Sequence, residues 1–221
     1  MLTFAIPCLF GLEGLVGDEV RRLGLKEVRV DNGRVFCQGT LADVPRLNIN
    51  IRCGERVLIV LRTFPARSFE ALFQGASAVA WEELVPADGR FPVKGYSLDS
   101  QLHSVPDCQK IIKRAAADRL GRAYGLGRMP ETGAKYQIQF ALMRDQCTLY
   151  LDTTGPGLHK RGYRAVGVEA PLRETLAAAM VTLSRYRGRD PFRDPFCGSA
   201  TIAIEAALIA KNRPPGLDPA I

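Results

Sequence analysis

Histidine is nearly absent from this chain: there are two, His103 and His159, far apart in 221 residues. That excludes chemistry built on paired imidazoles. The six cysteines, at 8, 37, 53, 108, 147 and 197, include no Cys-x-x-Cys pair, and most sit in apolar runs. They offer neither a zinc ligand set nor a disulfide framework, and read as free thiols of a reducing cytosol. No uncharged run of 18 residues exists, so no membrane span is expected. Leu2 to Gly17 is apolar but lacks a basic start and is broken by Pro7 and Glu13, so it is not expected to act as a signal peptide. The expected location is the cytoplasm. Neither the spaced-glycine dinucleotide fingerprint nor the Gly-Lys-Ser/Thr of a P-loop occurs.

What is present is an ordinary apolar content of 47% and a net charge of +7. The first supports one large core or two small ones. The second favours an anionic partner, with nucleic acid first among them. Leu2 to Pro7 reads as a strand, and residues 12 to 24 carry Leu12, Leu15, Val16, Val20 and Leu23 at helical spacing. Glu27 to Val30 and Arg34 to Gln38 read as strands joined at Asp31-Asn32-Gly33. Ala42 to Ile51 suits a helix with Pro45 in its first turn, and Arg56 to Thr63 is a β run. The order is βαββαβ, a ferredoxin-like unit over 1–64, and it reads as a scaffold.

Ser68 to Ala80 reads as a Ser-capped helix, with Trp81 as a core anchor. Phe91 to Leu98 is a strand. Asp107 is expected to cap a helix to Tyr124 that turns Ile111, Ile112, Ala115, Ala116 and Leu120 inward. Lys110, Lys113, Arg114, Arg119 and Arg122 are placed on its outer face. Between 107 and 128, six basic residues stand against two acidic ones, a local surplus suited to phosphate contact. Lys135 to Met143 and Gln146 to Thr153 alternate as a hairpin turning at Arg144-Asp145.

The densest chemistry lies in Asp194-Pro195-Phe196-Cys197-Gly198-Ser199-Ala200-Thr201. It reads as the end of a short strand, a glycine turn and the start of the apolar helix Ile202 to Ala210. A carboxylate beside free helix N–H groups suits a ligand with both positive and polar groups. The string closely resembles motif I, DPFCGSGT, of class I S-adenosylmethionine-dependent methyltransferases, in the form carried by the THUMP-domain RNA methyltransferase family. The resemblance implies that Asp194 faces the methionine amino group and that Phe196 to Thr201 wrap the cofactor. Ala200 stands where the string usually has glycine; its methyl is harmless at negative φ and awkward at positive φ.

Residues 65–154, through Phe91-Pro92-Val93-Lys94-Gly95-Tyr96-Ser97-Leu98 and Val105-Pro106-Asp107-Cys108-Gln109-Lys110, resemble a THUMP domain. The resemblance implies RNA contact, assigned to Lys110, Lys113 and Arg114. Residues 155–221 resemble the start of a Rossmann-like α/β methyltransferase domain, with Arg164 and Pro171 to Glu174 bordering the cofactor pocket. The implied activity is methylation of an exocyclic amine, most like guanine N2 of 23S ribosomal RNA.

The (Asn/Asp)-Pro-Pro-(Tyr/Phe) motif of that family is not found. Pro214-Pro215 follows directly on the motif I helix, where the family has a helix terminator, and is not read as catalytic; no catalytic residue is assigned. The doubly wound sheet needs about seven strands, and this segment offers about one. A further methyltransferase half, or a partner chain, is therefore expected to complete it, and the 221 residues alone are expected to be inactive. The rival from another class is a non-catalytic THUMP RNA-binding module. Thiouridine synthesis is disfavoured by the lack of a Ser-Gly-Gly-x-Asp-Ser loop, and an adenine N6 DNA methylase by the THUMP-like region.

Overall fold

The computed structural model describes residues 1–163 and 172–217. The chain divides into two compact units, residues 1–57 with 154–221 and residues 58–153. In the first, β1 (Leu2–Pro7), α1 (Glu13–Arg22), β2 (Lys26–Asp31), β3 (Arg34–Gly39) and α2 (Asp43–Asn50) follow the expected order. β3 lies between β2 and β1, antiparallel to both. Alternation decides the faces: Phe4, Ile6, Val35 and Cys37 are buried, together with Val16 and Val20 of α1 and Leu47 of α2. The last strand of the βαββαβ order, β4 (Leu58–Pro65), begins the second unit, two residues beyond the Arg56 expected from β propensity.

The second unit orders its strands β4-β7-β6-β5, where β5 is Val93–Leu98, β6 Gln137–Met143 and β7 Gln146–Asp152. β7 is antiparallel to β4 and β6, and β5 runs parallel to β6. Arg144 and Asp145 both take positive φ, as a two-residue hairpin turn requires. The helices α3 (Phe69–Ser77) and α4 (Val105–Tyr124) share one core with Phe64, Ile138, Phe140, Leu142, Cys147 and Leu149. Ser68 caps α3 by accepting the Ala71 N–H.

Trp81 is fully buried and donates its indole N–H to the Ala76 carbonyl at 2.8 Å, so the anchor role is met. α4 starts three residues earlier than expected. Pro106 fits the first turn, where its missing N–H costs nothing, and Ser104 takes the cap position. Asp107 instead accepts the Ser104 hydroxyl at 2.6 Å.

Arg119 forks onto both carboxylate oxygens of Glu82, at 2.7 and 2.8 Å. Hydrogen bonding from Arg119, ahead of its charge, lowers the Glu82 carboxyl from 4.5 to about 2. A carboxyl with a depressed folded value adds stability above its unfolded value and loses it as pH falls through the folded one. The pair is partly exposed, so solvent screening leaves about 1 kcal/mol. In acid titrations between about pH 4.5 and pH 2, Glu82→Gln is expected to flatten the loss of thermal stability relative to the parent. Superimposable profiles would show that this pair carries none of it.

Candidate functional site

The motif around Asp194 sits on a loop leading into α6 (Thr201–Ala210). The expected strand before Asp194 does not form: among the described residues after 171 there are two helices, α5 (Glu174–Leu183) and α6, and no strand. A strand needs a neighbour to take its N–H and C=O groups, and no described residue pairs with this segment. A local turn holds Asp194 instead, with its Oδ1 accepting the Phe196 N–H at 3.2 Å. Its Oδ2 is buried without a hydrogen-bond partner. Phe196, 93% exposed, stands out from the loop, and Cys197 is an exposed thiol where burial was expected of most.

Gly198 has φ +49 and turns the chain toward α6. Ala200 is the cap residue, at φ +58 and ψ 20, and it lends no side chain to the helix start. The awkward alternative for its methyl is the one realised. A left-handed alanine costs about 1–2 kcal/mol, partly offset by its lower unfolded-chain entropy relative to glycine. Ala200→Gly is therefore expected to stabilise the chain by about 0.5–1 kcal/mol, read as a higher Tm. A lower Tm would show that the loop carries no such strain.

The N–H groups of Ile202 and Ala203, in the first turn of α6, have no acceptor within the helix; the first helical bond is from Ile204 N–H to the Ala200 carbonyl, at 2.9 Å. A carboxylate oxygen without a donor and a helix start without a cap thus lie within one short loop. The first takes an ammonium and the second a carboxylate. The residues present therefore fit the amino-acid end of a zwitterionic ligand.

Behind this loop lies a buried polar cluster that the sequence reading missed. Glu205 on α6 is fully buried, accepts the Tyr163 hydroxyl at 3.0 Å, and stands 3.6 Å from Arg161, itself 4% exposed. Burial holds the Glu205 carboxyl above its usual value, with Arg161 pulling it back. Burial and the adjacent Glu205 charge push the Tyr163 phenol up. Arg161 also donates to the Leu158 and Arg52 carbonyls. The available signal was a single charge inside Thr201-Ile202-Ala203-Ile204-Glu205-Ala206-Ala207-Leu208. The start of α5 is fixed by Glu55, which accepts the Thr175 hydroxyl at 2.7 Å and lies 3.6 Å from Arg173. Arg164 and Pro171 lie outside the described residues. Pro215 is buried after α6, and the next N–H, of Gly216, donates to the Ile49 carbonyl at 2.9 Å.

On α4 the basic residues divide. Lys110 and Arg114 are 78% and 74% exposed; they pair with Asp107 and Asp118 at 3.4 and 3.7 Å, and Arg114 also lies 5.9 Å from the centre of the Phe73 ring. Lys113 is turned inward: it binds Glu131 at 2.6 Å and lies 3.5 Å from the centre of the Phe91 ring. Arg119 is held by Glu82. The outer-face placement of Lys113 and Arg119 is thereby corrected, because their rows of the helix face Glu131 of a loop and Glu82 of the short 3-10 helix Trp81–Glu83.

Taken together, the described residues form a βαββα segment, a second α+β unit with strand order β4-β7-β6-β5, and the helices α5 and α6. Family models match in the same order: the RlmL ferredoxin-like domain over 3–58, the THUMP domain over 66–152 and the RMKL-like methyltransferase domain over 161–219. Among curated relatives, YpsC of Bacillus subtilis (strain 168), named as a candidate RNA methyltransferase, is 45% identical over 98% of this chain and 56% of its own length. The ribosomal RNA large subunit methyltransferase K/L of Psychromonas ingrahamii is 34% identical over 98% of this chain and 29% of its own.

Among solved structures, a protein of Listeria monocytogenes described as a predicted N6-adenine-specific DNA methylase superposes with a TM-score of 0.93 at 45% identity, covering 97% of this chain and 57% of that one. SMU.472, a candidate methyltransferase complexed with SAH, gives 0.91 at 42%, again over 97% and 57%. The chain spans a little over half the length of YpsC and of these two solved chains. Its successive segments are thus similar to the ferredoxin-like, THUMP and RMKL-like methyltransferase domains of these models.

Proposed function

We propose that this chain is the RNA-delivering and cofactor-holding part of an S-adenosylmethionine-dependent RNA methyltransferase. The observation that carries the reading is the buried, partnerless Asp194 Oδ2 beside the uncapped start of α6. When bound, S-adenosylmethionine supplies an electrophilic methyl group. Asp194 would hold its ammonium, and the loop Pro195-Phe196-Cys197-Gly198-Ser199-Ala200-Thr201 would hold its carboxylate and cover it. Glu205, through Arg161 and Tyr163, would keep α6 fixed under that loop. The relation to SMU.472 with its bound SAH, the demethylated form of this cofactor, supports the choice.

The substrate side of the reading is RNA, supported by the THUMP match and by the names of YpsC and the K/L methyltransferases. Exposed Lys110 and Arg114 would contact phosphates, with Lys113 retained as a structural neighbour. The finer assignment is an exocyclic amine, guanine N2 of 23S ribosomal RNA. The 221 residues carry no (Asn/Asp)-Pro-Pro-(Tyr/Phe) string, so methyl transfer is assigned to the assembly that includes a second methyltransferase half. The name of the Listeria protein favours a second reading, adenine N6 of DNA.

The test supplies radiolabelled S-adenosylmethionine to the 221-residue chain, and to the longer protein or complex containing it, with ribosomal RNA or DNA. The expected result is label in RNA guanine from the longer protein and none from the 221 residues alone. Label in DNA adenine would replace the substrate, and absence of cofactor binding by either would leave an RNA-binding module.

A further inference from the structure

We infer that a cleft in the first unit, between α1, the end of α2 and the loop after α5, is a second RNA-contact site whose arginines hold backbone phosphates. The cleft measures about 560 Å³ and is lined by Arg22 of α1, by Arg52 beyond α2, and by Arg185, Tyr186 and Arg187 after α5. Its volume falls within the about 300–1,000 Å³ of clefts that take an organic ligand rather than a single ion.

Arg52 forms the inner wall. One arm of its guanidinium donates to the Arg213 carbonyl at 2.6 Å. The other, Nη1, is buried and has no hydrogen-bond partner. A buried donor left unmade is costly, and an acceptor seated in the cleft removes that cost. Arg22, Arg185 and Arg187 are exposed and, among the described residues, their side chains make no hydrogen bond, ion pair or ring contact. The two acids of the cleft are already engaged. Asp18 is paired with Arg21 at 2.9 Å, and a Glu19 oxygen accepts the backbone N–H groups of Arg52 and Cys53 at 3.1 and 3.2 Å.

The loop that carries Arg185 and Arg187 is held in place. Arg185 takes φ +60 and donates its N–H to the Thr182 carbonyl at 3.1 Å. Gly188 packs so tightly on α6 that a Cβ there would stand 2.5 Å from the Ala210 Cα. Tyr186 meets the Phe192 ring edge-on, with centres 5.1 Å apart. Several unpaired guanidiniums on a fixed frame suit a phosphate chain, which brings one charge per nucleotide and accepts the guanidinium fork. A lone carboxylate would leave most of them unmatched.

The inference rests on RNA being the partner. The test is fluorescence anisotropy of a labelled single-stranded RNA of mixed sequence with the 221-residue chain, across a salt series. The double variant Arg185→Ala with Arg187→Ala is expected to weaken binding about tenfold and to lower the salt slope by about 1.4, two contacts at about 0.7 each, at an unchanged Tm. Arg185→Lys with Arg187→Lys keeps the charge and loses the fork. It is expected to weaken binding about threefold with the slope unchanged. Lysine variants that bind as the parent does would mean charge acting at a distance, and would overturn the cleft. Alanine variants within about twofold of the parent (0.4 kcal/mol) would overturn it too, and leave the Lys110 and Arg114 contacts standing. Isothermal titration with inorganic pyrophosphate separates the sources of phosphate: binding abolished by the alanine variants while RNA affinity stays would give the cleft to a small ligand and overturn the RNA assignment. A parent chain that binds no RNA would overturn both this inference and the RNA reading it rests on.

Discussion

Trp81→Ala is expected to cost the unit formed by residues 58–153 about 4 kcal/mol, close to the whole stability of a domain this size. Trp81 is the largest fully buried side chain, and truncation leaves a cavity walled by α3, α4 and the strands. It also leaves the Ala76 carbonyl without its indole donor. Helix content by circular dichroism in urea is the measurement, because the only tryptophan is the residue removed. The midpoint should fall steeply, and Trp81→Phe, which refills most of the volume, should recover more than half of the loss. A midpoint unchanged in Trp81→Ala would mean that the core does not depend on this anchor.

Asp194→Asn is expected to weaken S-adenosylmethionine binding roughly 100-fold, about 3 kcal/mol. The amide keeps an oxygen for the Phe196 N–H, so the turn survives. It replaces the buried, partnerless oxygen's charge with a neutral amide that no longer attracts an ammonium. Isothermal titration with the cofactor reads the effect, and an unchanged Tm separates it from unfolding. Equal affinity in the variant would remove Asp194 from the site. The Ala200→Gly change acts on the same loop in the opposite direction, relieving strain without adding a contact.

The pieces legible in the sequence are those governed by short-range rules. The βαββ portion, the Ser68 cap, the Arg144-Asp145 turn and the buried Trp81 follow from spacing, cap chemistry and size. The loop at Asp194 was legible as a motif because its string is contiguous. Its environment was not. Whether Ala200 sits at positive φ depends on how the chain enters α6, and the absent strand depends on pairing with residues distant in sequence.

The cluster of Glu205, Arg161 and Tyr163 was invisible for the same reason. Tyr163 and Glu205 are 42 residues apart and meet only in the folded unit. Lys113 and Arg119 looked solvent-facing by helical spacing alone, and only Glu131 and Glu82, brought in by neighbouring segments, decided otherwise.

By itself, then, the sequence determined the order of domains, the class of ligand and the sign of the charge. Each of these is carried by local pattern or by composition. Tertiary structure decided which cations are free and which carboxylate lacks a partner. Those are outcomes of packing between segments far apart in the chain.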